Sequence, residues 1–363
     1  MSGNMATLHI DTRKIRKNVG KLNNYFENND IQWTLVSKVL CGHRQTLEKV
    51  ICCEEMEGLH SIGESRIGNL RTIKKIDPNI RTMYIKPPEI RYASQIVKHA
   101  DYSLNTSMNT IEALNKEAGE QGKIHNVLIM IELGELREGI LREDIERFYE
   151  KVFHLPNIRV SGIGANLGCM YGIEPTKDKL IQLCLYKQLL EAKYGERLEL
   201  ISGGSSITLP LIGRRKVPKG VNHFRVGEAA FFGTSPLDNK RFRDLSENAF
   251  EFSSQILELK EKETVPDGVI GDASIGHAME NGHNNGDTVK KAILDFGMLD
   301  VGHEDLRPKM PEAEFVGISS DMCVYSINDH RSGLSTGDRI LFKPRYLAVA
   351  KLMLSKFIDK TVV

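Results

Sequence analysis

The 363 residues, 40% of them hydrophobic, exceed one ordinary domain and provide ample material for a core. The 49 Lys and Arg against 48 Asp and Glu leave a formal charge of +1, which excludes the basic footprint of a nucleic-acid binder and any strong pull toward acidic membranes, so a small-molecule partner is expected. Six cysteines in so long a chain make no disulfide framework, no Cys-x-x-Cys or His-Glu-x-x-His spacing points to a metal, and no apolar run has bilayer length, so a soluble, cytoplasmic protein is expected.

In chain order, Thr7 to Ile10 reads as a strand and Asp11 as the cap of a helix through about Phe26, with Ile15, Val19 and Leu22 on one face. Strand-like runs then recur at residues 34–38, 58–62, 81–85, 102–105, 126–133, 159–166, 198–202 and 224–232. Helical patterns lie between them, for example over 64–75, 107–120, 142–153 and 178–193. This alternation predicts a TIM-type (β/α)8 barrel over residues 12–236, with a doubly wound open sheet as the competing layout. Beyond about Pro236 the helical period fades and runs at 251–259, 292–296, 314–327 and 338–343 predict a β-rich domain over 237–363, to which the strand at 6–11 is added. Residues 271–287, rich in glycine and asparagine, read as a long connection in which His277 and His283 lack a third metal ligand.

Barrels of this kind place chemistry at the carboxyl ends of their strands. Lys38 closes the first run, Trp33 to Val36, where burial would lower its ammonium pKa and make it a nucleophile for Schiff-base chemistry; a stem lying along the rim with its head in water is the plainer alternative. After the seventh run come Gly203, Gly204, Ser205 and Ser206, and in the eighth Arg225 and Gly227. Glycines let backbone amides approach a ligand and serines add donors, as in a phosphate cradle, although a tight strand-to-helix turn needs the same residues. Arg225 stands among apolar neighbours and therefore needs a specific partner, whereas Arg137 is either an anion ligand or a rim charge paired with an adjacent glutamate.

These residues carry a resemblance to the alanine racemase superfamily of pyridoxal-phosphate enzymes, covering nearly the whole chain and nearest to its ornithine-type members. The resemblance rests on Lys38 after the first barrel strand, a Gly-x-x-Arg-x-Gly segment (Gly134, Arg137, Gly139) and Arg-x-Gly at Arg225 and Gly227. In the second domain it rests on Gly317, Ser319, Ser320 and Asp321, and on a late tyrosine, Tyr346. It implies pyridoxal 5'-phosphate held by Lys38, with Gly204, Ser205, Ser206, Gly227 and Tyr346 around its phosphate, Arg225 at the ring nitrogen, and Arg137 and Asn166 nearby. It also implies a homodimer with shared active sites.

Three departures set the chain apart from the alanine-specific pattern. A Gly-Tyr-Ala-Asp-Gly segment is replaced by Gly297-Met298-Leu299-Asp300, the lysine is followed by Leu40-Cys41-Gly42-His43, and Asn166 stands where a histidine packs on the cofactor. The expected activity is therefore amino-acid racemisation with ornithine as first substrate. The alternatives are another amino-acid racemase such as one for alanine or serine, a basic amino acid decarboxylase, or a non-catalytic carrier of the cofactor. Asp300 is the first candidate for a second base, with Asp321, Cys41 and Cys169 behind it. Glu228, Asp272, Asp300 and Asp321 are candidates to neutralise a distal ammonium.

Overall fold

The computed structural model describes residues 6–271, 276–278, 287–328 and 333–363. They form two compact units, one of Arg13–Glu247 and one of the described residues up to Thr12 together with Asn248–Val363. The chain opens with β1 (Ala6–Ile10), which belongs to the second unit, followed by α1 (Thr12–Glu27). Ile15, Val19, Leu22 and Phe26 repeat at helical spacing along α1 and are all buried.

Eight parallel strands close into a barrel. They are β2 (Gln32–Val36), β3 (Ser61–Glu64), β4 (Thr82–Tyr84), β5 (Tyr102–Asn105), β6 (His125–Met130), β7 (Ile158–Gly164), β8 (Leu200–Ser205) and β9 (His223–Val226). Between and after them run α2 (Arg44–Ile51), α3 (Ile67–Ile76), α4 (Ala93–His99), α5 (Met108–Glu120), α6 (Ile145–Phe153), α7 (Lys177–Tyr194), α8 (Leu209–Gly213) and α9 (Glu228–Phe232). Closure is made by β2 on β9, with Gln32 level with His223 and Leu35 with Val226. Phe26 of α1 stacks on Trp33 of β2 and packs on Phe224 of β9, so the first helix seals this seam. Met83, Leu104, Leu128, Met130 and Leu200 fill the interior. Helix limits follow local chemistry: Thr176 Oγ1 accepts from the Lys179 amide to start α7, and Gly195, at φ 72°, stops it in the left-handed region.

The barrel is the expected fold, and its eighth run is shorter than expected. The strand ends at Val226, and 228–232 is helix rather than strand. At Gly227 a Cβ would meet the Val36 carbonyl oxygen at 3.0 Å, so the backbone lies close against β2 before it turns to bury Ala229, Ala230 and Phe231. The barrel unit also extends beyond 236 to Glu247, carrying the small hairpin of β10 (Thr234–Ser235) and β11 (Lys240–Arg241).

The second unit is mostly strand: β12 (Phe250–Glu263), β13 (His277–Ala278), β14 (Thr288–Leu294), β15 (Leu306–Pro308), β16 (Ala313–Ile318), β17 (Cys323–Ile327) and β18 (Arg339–Pro344), then α10 (Tyr346–Leu354) and β19 (Asp359–Val362). One sheet runs β13-β16-β17-β14-β12-β1-β19, with β18 on β12 and β15 on β18. Phe252, Phe296, Tyr325 and Phe342 pack edge-to-face or tilted at its core. The run expected over 314–327 is a hairpin, because Ser319 donates its amide to the Met322 carbonyl and turns the chain between β16 and β17. Helix α10 was not anticipated. Exposed His277 lies in β13, while Asp272 and His283 fall outside the described residues. No helix among the described residues is long and apolar enough to cross a membrane.

Candidate active site

Lys38 was expected at the carboxyl end of a buried strand; it lies two residues past the end of β2 and is exposed, as in the plainer alternative. Strand β2 stops at Val36, Ser37 gives its amide to the Gly63 carbonyl (3.0 Å), and Lys38–Leu40 forms one tight turn that Cys41 closes in the left-handed region at φ 49°. Val39 and Leu40 take the buried positions of this turn, and the Lys38 side chain is left exposed at the carboxyl end of the barrel. Two carboxyl groups beside β2 feel its charge. Glu64, the last residue of β3, is 1% exposed. Its Oε2 accepts from the amides of Ser65 (2.9 Å) and Arg66 (3.2 Å) and from Asn69 Nδ2 (3.1 Å), while Oε1 is buried with no hydrogen-bond partner. Burial pushes its carboxyl pKa up, against those donors and Lys38. Half-buried Glu228, the first residue of α9, is likewise pushed up by burial, against Thr234 and Lys38.

Arg225 is 5% exposed and has the partners that its apolar surroundings require. Its Nη1 donates to the Ser202 carbonyl (3.1 Å) and to Ser202 Oγ, and its Nη2 donates to the Ala165 carbonyl (2.8 Å) and Asn166 Oδ1 (2.5 Å). None of these contacts uses Nε. Burial lowers the guanidinium pKa to about 10, opposed by the charge of Glu138, so the group stays protonated at neutral pH. Behind Ser202 the network continues through His223 Nδ1 (2.8 Å), and His223 Nε2 meets Thr34 Oγ1 (3.0 Å). His223 is buried, which pushes its imidazole well below the ordinary value, so an uncharged ring anchors this side. On the other side Asn166 Nδ2 donates to Glu138, which also receives Nε and Nη2 of Arg137. Arg137 thus pairs with its neighbouring glutamate and reaches Arg225 only through Glu138 and Asn166.

The glycine and serine residues serve packing as well as any ligand. A Cβ on Gly204 would sit 2.0 Å from the Phe224 ring, so only glycine fits between β8 and β9. The Ser205 amide donates to Thr208 Oγ1 (3.3 Å), and Ser206 Oγ accepts from the Ala229 amide (3.1 Å). These bonds place the turn after β8 beside Gly227 on the neighbouring strand. Behind the mouth, Glu135 gathers the loop after β7: Oε1 accepts from the amides of Cys169 (2.8 Å), Met170 (2.5 Å) and Tyr171 (3.0 Å), and Oε2 from Gly168 (2.9 Å) and Ile173 (3.2 Å).

The remaining expected residues lie in the second unit. Tyr346 opens α10 and is half-buried. Asp300 Oδ2 accepts from the Gly297 amide (3.4 Å) and Oδ1 from Ser355 Oγ (3.0 Å), so both oxygens bind its own turn and the end of α10. Asp321 is exposed and accepts from Ser320 Oγ (2.8 Å). Asp300 and Asp321 line one cavity of about 710 Å³ together with Asp295, whose carboxyl pKa is raised by burial and then by Asp300. Sequence reasoning missed Glu64, Glu138 and His223 as site residues, and it grouped Ser202 with the glycine and serine turn, whereas its oxygens accept from Arg225. Glu64 was placed at the start of the helical pattern over 64–75, whereas the strand runs two residues beyond the expected 58–62 and ends on it.

Residues 10–236 match the family model described as "Alanine racemase, N-terminal domain". The chain belongs to this alanine racemase family. An ornithine racemase from Acetoanaerobium sticklandii is 32% identical over 352 residues, 97% of this chain and 98% of that protein. A lysine racemase from Thermotoga maritima is 29% identical over 97% of each chain. Among solved structures, the alanine racemase of Bartonella henselae with covalently bound pyridoxal phosphate has a TM-score of 0.75 at 14% identity, over 99% of this chain and 100% of that one. At that identity the likeness to an alanine racemase is one of fold.

Proposed function

We propose that the protein is a pyridoxal-phosphate-dependent amino-acid racemase with ornithine as its first substrate. The observation that carries this reading is an exposed lysine just past the end of β2 together with, on the adjoining β9, a buried arginine whose terminal nitrogens are fully engaged. The residues fit the cofactor. Lys38 would hold it through its amine, the Gly204, Ser205, Ser206 and Gly227 turns would hold its phosphate, and Arg225 would offer Nε–H to its ring nitrogen. Bound there, pyridoxal phosphate would supply a conjugated ring able to take up the electron pair left at the α-carbon when its proton departs.

The chain's own residues set the outcome. A protonated Arg225 can donate a hydrogen bond but gives up no proton, so it would leave a ring nitrogen unprotonated and the ring a weaker electron sink than one facing a carboxylic acid. Such an arginine would favour racemisation over reactions that need a longer-lived charge at the α-carbon. Lys38, when its amine is free, would take the α-proton on its own face. Asp300 is the proposed base for the opposite face, lent by a second copy in a homodimer. The exposed Leu299, Leu354 and Phe357 around the Asp300 cavity support an apolar surface that a partner would cover. A distal ammonium on the substrate is supported by the two curated relatives, named for ornithine and lysine. Six unbridged cysteines support a reducing, cytoplasmic setting.

The test is chiral chromatography of L-ornithine, L-lysine and L-alanine incubated with purified protein and added cofactor. D-Ornithine forming fastest supports the proposal. Amine and carbon dioxide, or turnover of alanine alone, overturns it.

A further inference from the structure

Three adjacent barrel strands end in one charge pattern. Strand β2 lies between β3 and β9, with Val36 level with Gly63 and Leu35 level with Val226. Just beyond these levels stand Glu64, the last residue of β3, Lys38 in the turn after β2, and Glu228, which opens α9 after Gly227. We propose that Glu64 and Glu228 are positioning residues for Lys38, two carboxyl groups that hold its ammonium between them at the barrel mouth whenever the amine is not bonded to a carbonyl compound.

Glu64 carries the stronger half of the argument. It is almost wholly buried, its Oε2 is committed to three donors, and its Oε1 has none. A buried carboxylate oxygen without a donor is rare and calls for a group that supplies one. The charge of Lys38 acts on this carboxyl and on that of Glu228, from the strands on either side. Other titratable or charged groups in the neighbourhood are Arg66 beside Glu64, Tyr84 at the end of β4, Arg225 on β9, and Cys41 and His43 on the turn of Lys38 itself. None of these is a carboxylate. Two flanking carboxyl groups would give the ammonium an acceptor on either side and keep it aimed at the site.

This inference rests on the reading of Lys38 as the reacting amine, and its test is chosen to stand apart from turnover. The full-length protein, freed of cofactor, is labelled with trace acetic anhydride from neutral to alkaline pH, and acetylation of Lys38 is quantified by mass spectrometry. In Glu64→Gln and in Glu228→Gln the pH at which Lys38 becomes reactive should fall by about one unit, the lower end expected for loss of one nearby opposite charge. Lys74 is the internal control, because it sits on α3, which Glu64 ties down through the Arg66 amide just ahead of it and the Asn69 side chain, and it pairs with Asp101 (2.8 Å). Its profile should not change. If Glu64→Gln speeds Lys74 labelling, α3 has loosened and Glu228→Gln carries the test with the same expected shift. An unchanged Lys38 profile in every variant that keeps Lys74 protected overturns the proposal. A shifted profile upholds it even in a protein that racemises nothing, so its failure and that of the racemase reading are distinguishable.

Discussion

Replacing Glu135 by glutamine isolates what one buried carboxylate does for the loop behind Arg225. Glu135 is 2% exposed and accepts five backbone amides from 168–173, the segment that follows Asn166. Glutamine presents one oxygen and one NH2. With its oxygen toward the three amides of 169–171, its NH2 faces the Gly168 and Ile173 amides and leaves both without an acceptor. Each orphaned buried donor costs about 1–3 kcal/mol, and the other three bonds lose their charge assistance, so the loop should weaken by at least about 2 kcal/mol. That corresponds to a roughly 30-fold rise in local opening, read as faster hydrogen exchange of the 168–173 amides. Acid should act in the same direction. Burial raises the Glu135 carboxyl but its amide donors outweigh it, so the folded pKa lies below the ordinary value. Protection is then complete above the ordinary carboxylate pKa and is lost as pH falls through the lowered one, a step absent from the variant. Equal exchange in both proteins at neutral pH would refute the reasoning.

Lys38→Ala should lose the visible absorbance of the bound cofactor together with racemase activity; a borohydride-reducible adduct on this variant would assign the amine elsewhere. Arg225→Glu should slow racemisation and let a long-wavelength band persist during turnover, and an unchanged rate and spectrum would place Arg225 away from the ring nitrogen. Burial lowers the pKa of His60 to about 4 and that of His223 well below the ordinary value. Both are neutral when folded and take up protons on unfolding, so denaturation midpoints should fall as pH drops from about 6.5 toward 4, and a flat profile would contradict this. Mixing inactive Lys38→Ala with Asp300→Ala protein should restore a fraction of activity if Asp300 is lent across a dimer interface; a fully active Asp300→Ala protein would remove it from proton transfer.

The barrel was legible because apolar runs and amphipathic helices alternate from Trp33 to Val226, and periodicity alone counts them. It misread 228–232, where Ala229 to Phe232 is apolar on every face and a short buried helix looks like a strand. The turn at 319–322 was hidden for a related reason, since no glycine or proline interrupts Ile318 to Cys323. At the site, Lys38 and Arg225 could be picked out as charges within apolar runs. The exposure of Lys38 matches the plainer of its two readings, and what sequence did not show is that Ser37 bonds across to β3 just before it. Glu135 and Glu138 read as rim charges and Glu64 as the start of a helix, yet each is tied to groups far along the chain or on the next element. Sequence carries residue type and period, but not which backbone amides converge on a carboxylate.

The most direct measurement follows L-ornithine in deuterium oxide with the cofactor-loaded protein, using proton resonance for the α-hydrogen and chiral chromatography for the enantiomers. The account predicts loss of the α-hydrogen signal alongside appearance of D-ornithine, with both enantiomers approaching equal amounts and the carboxyl group retained. Release of carbon dioxide, or deuterium exchange with no D-enantiomer, would contradict it.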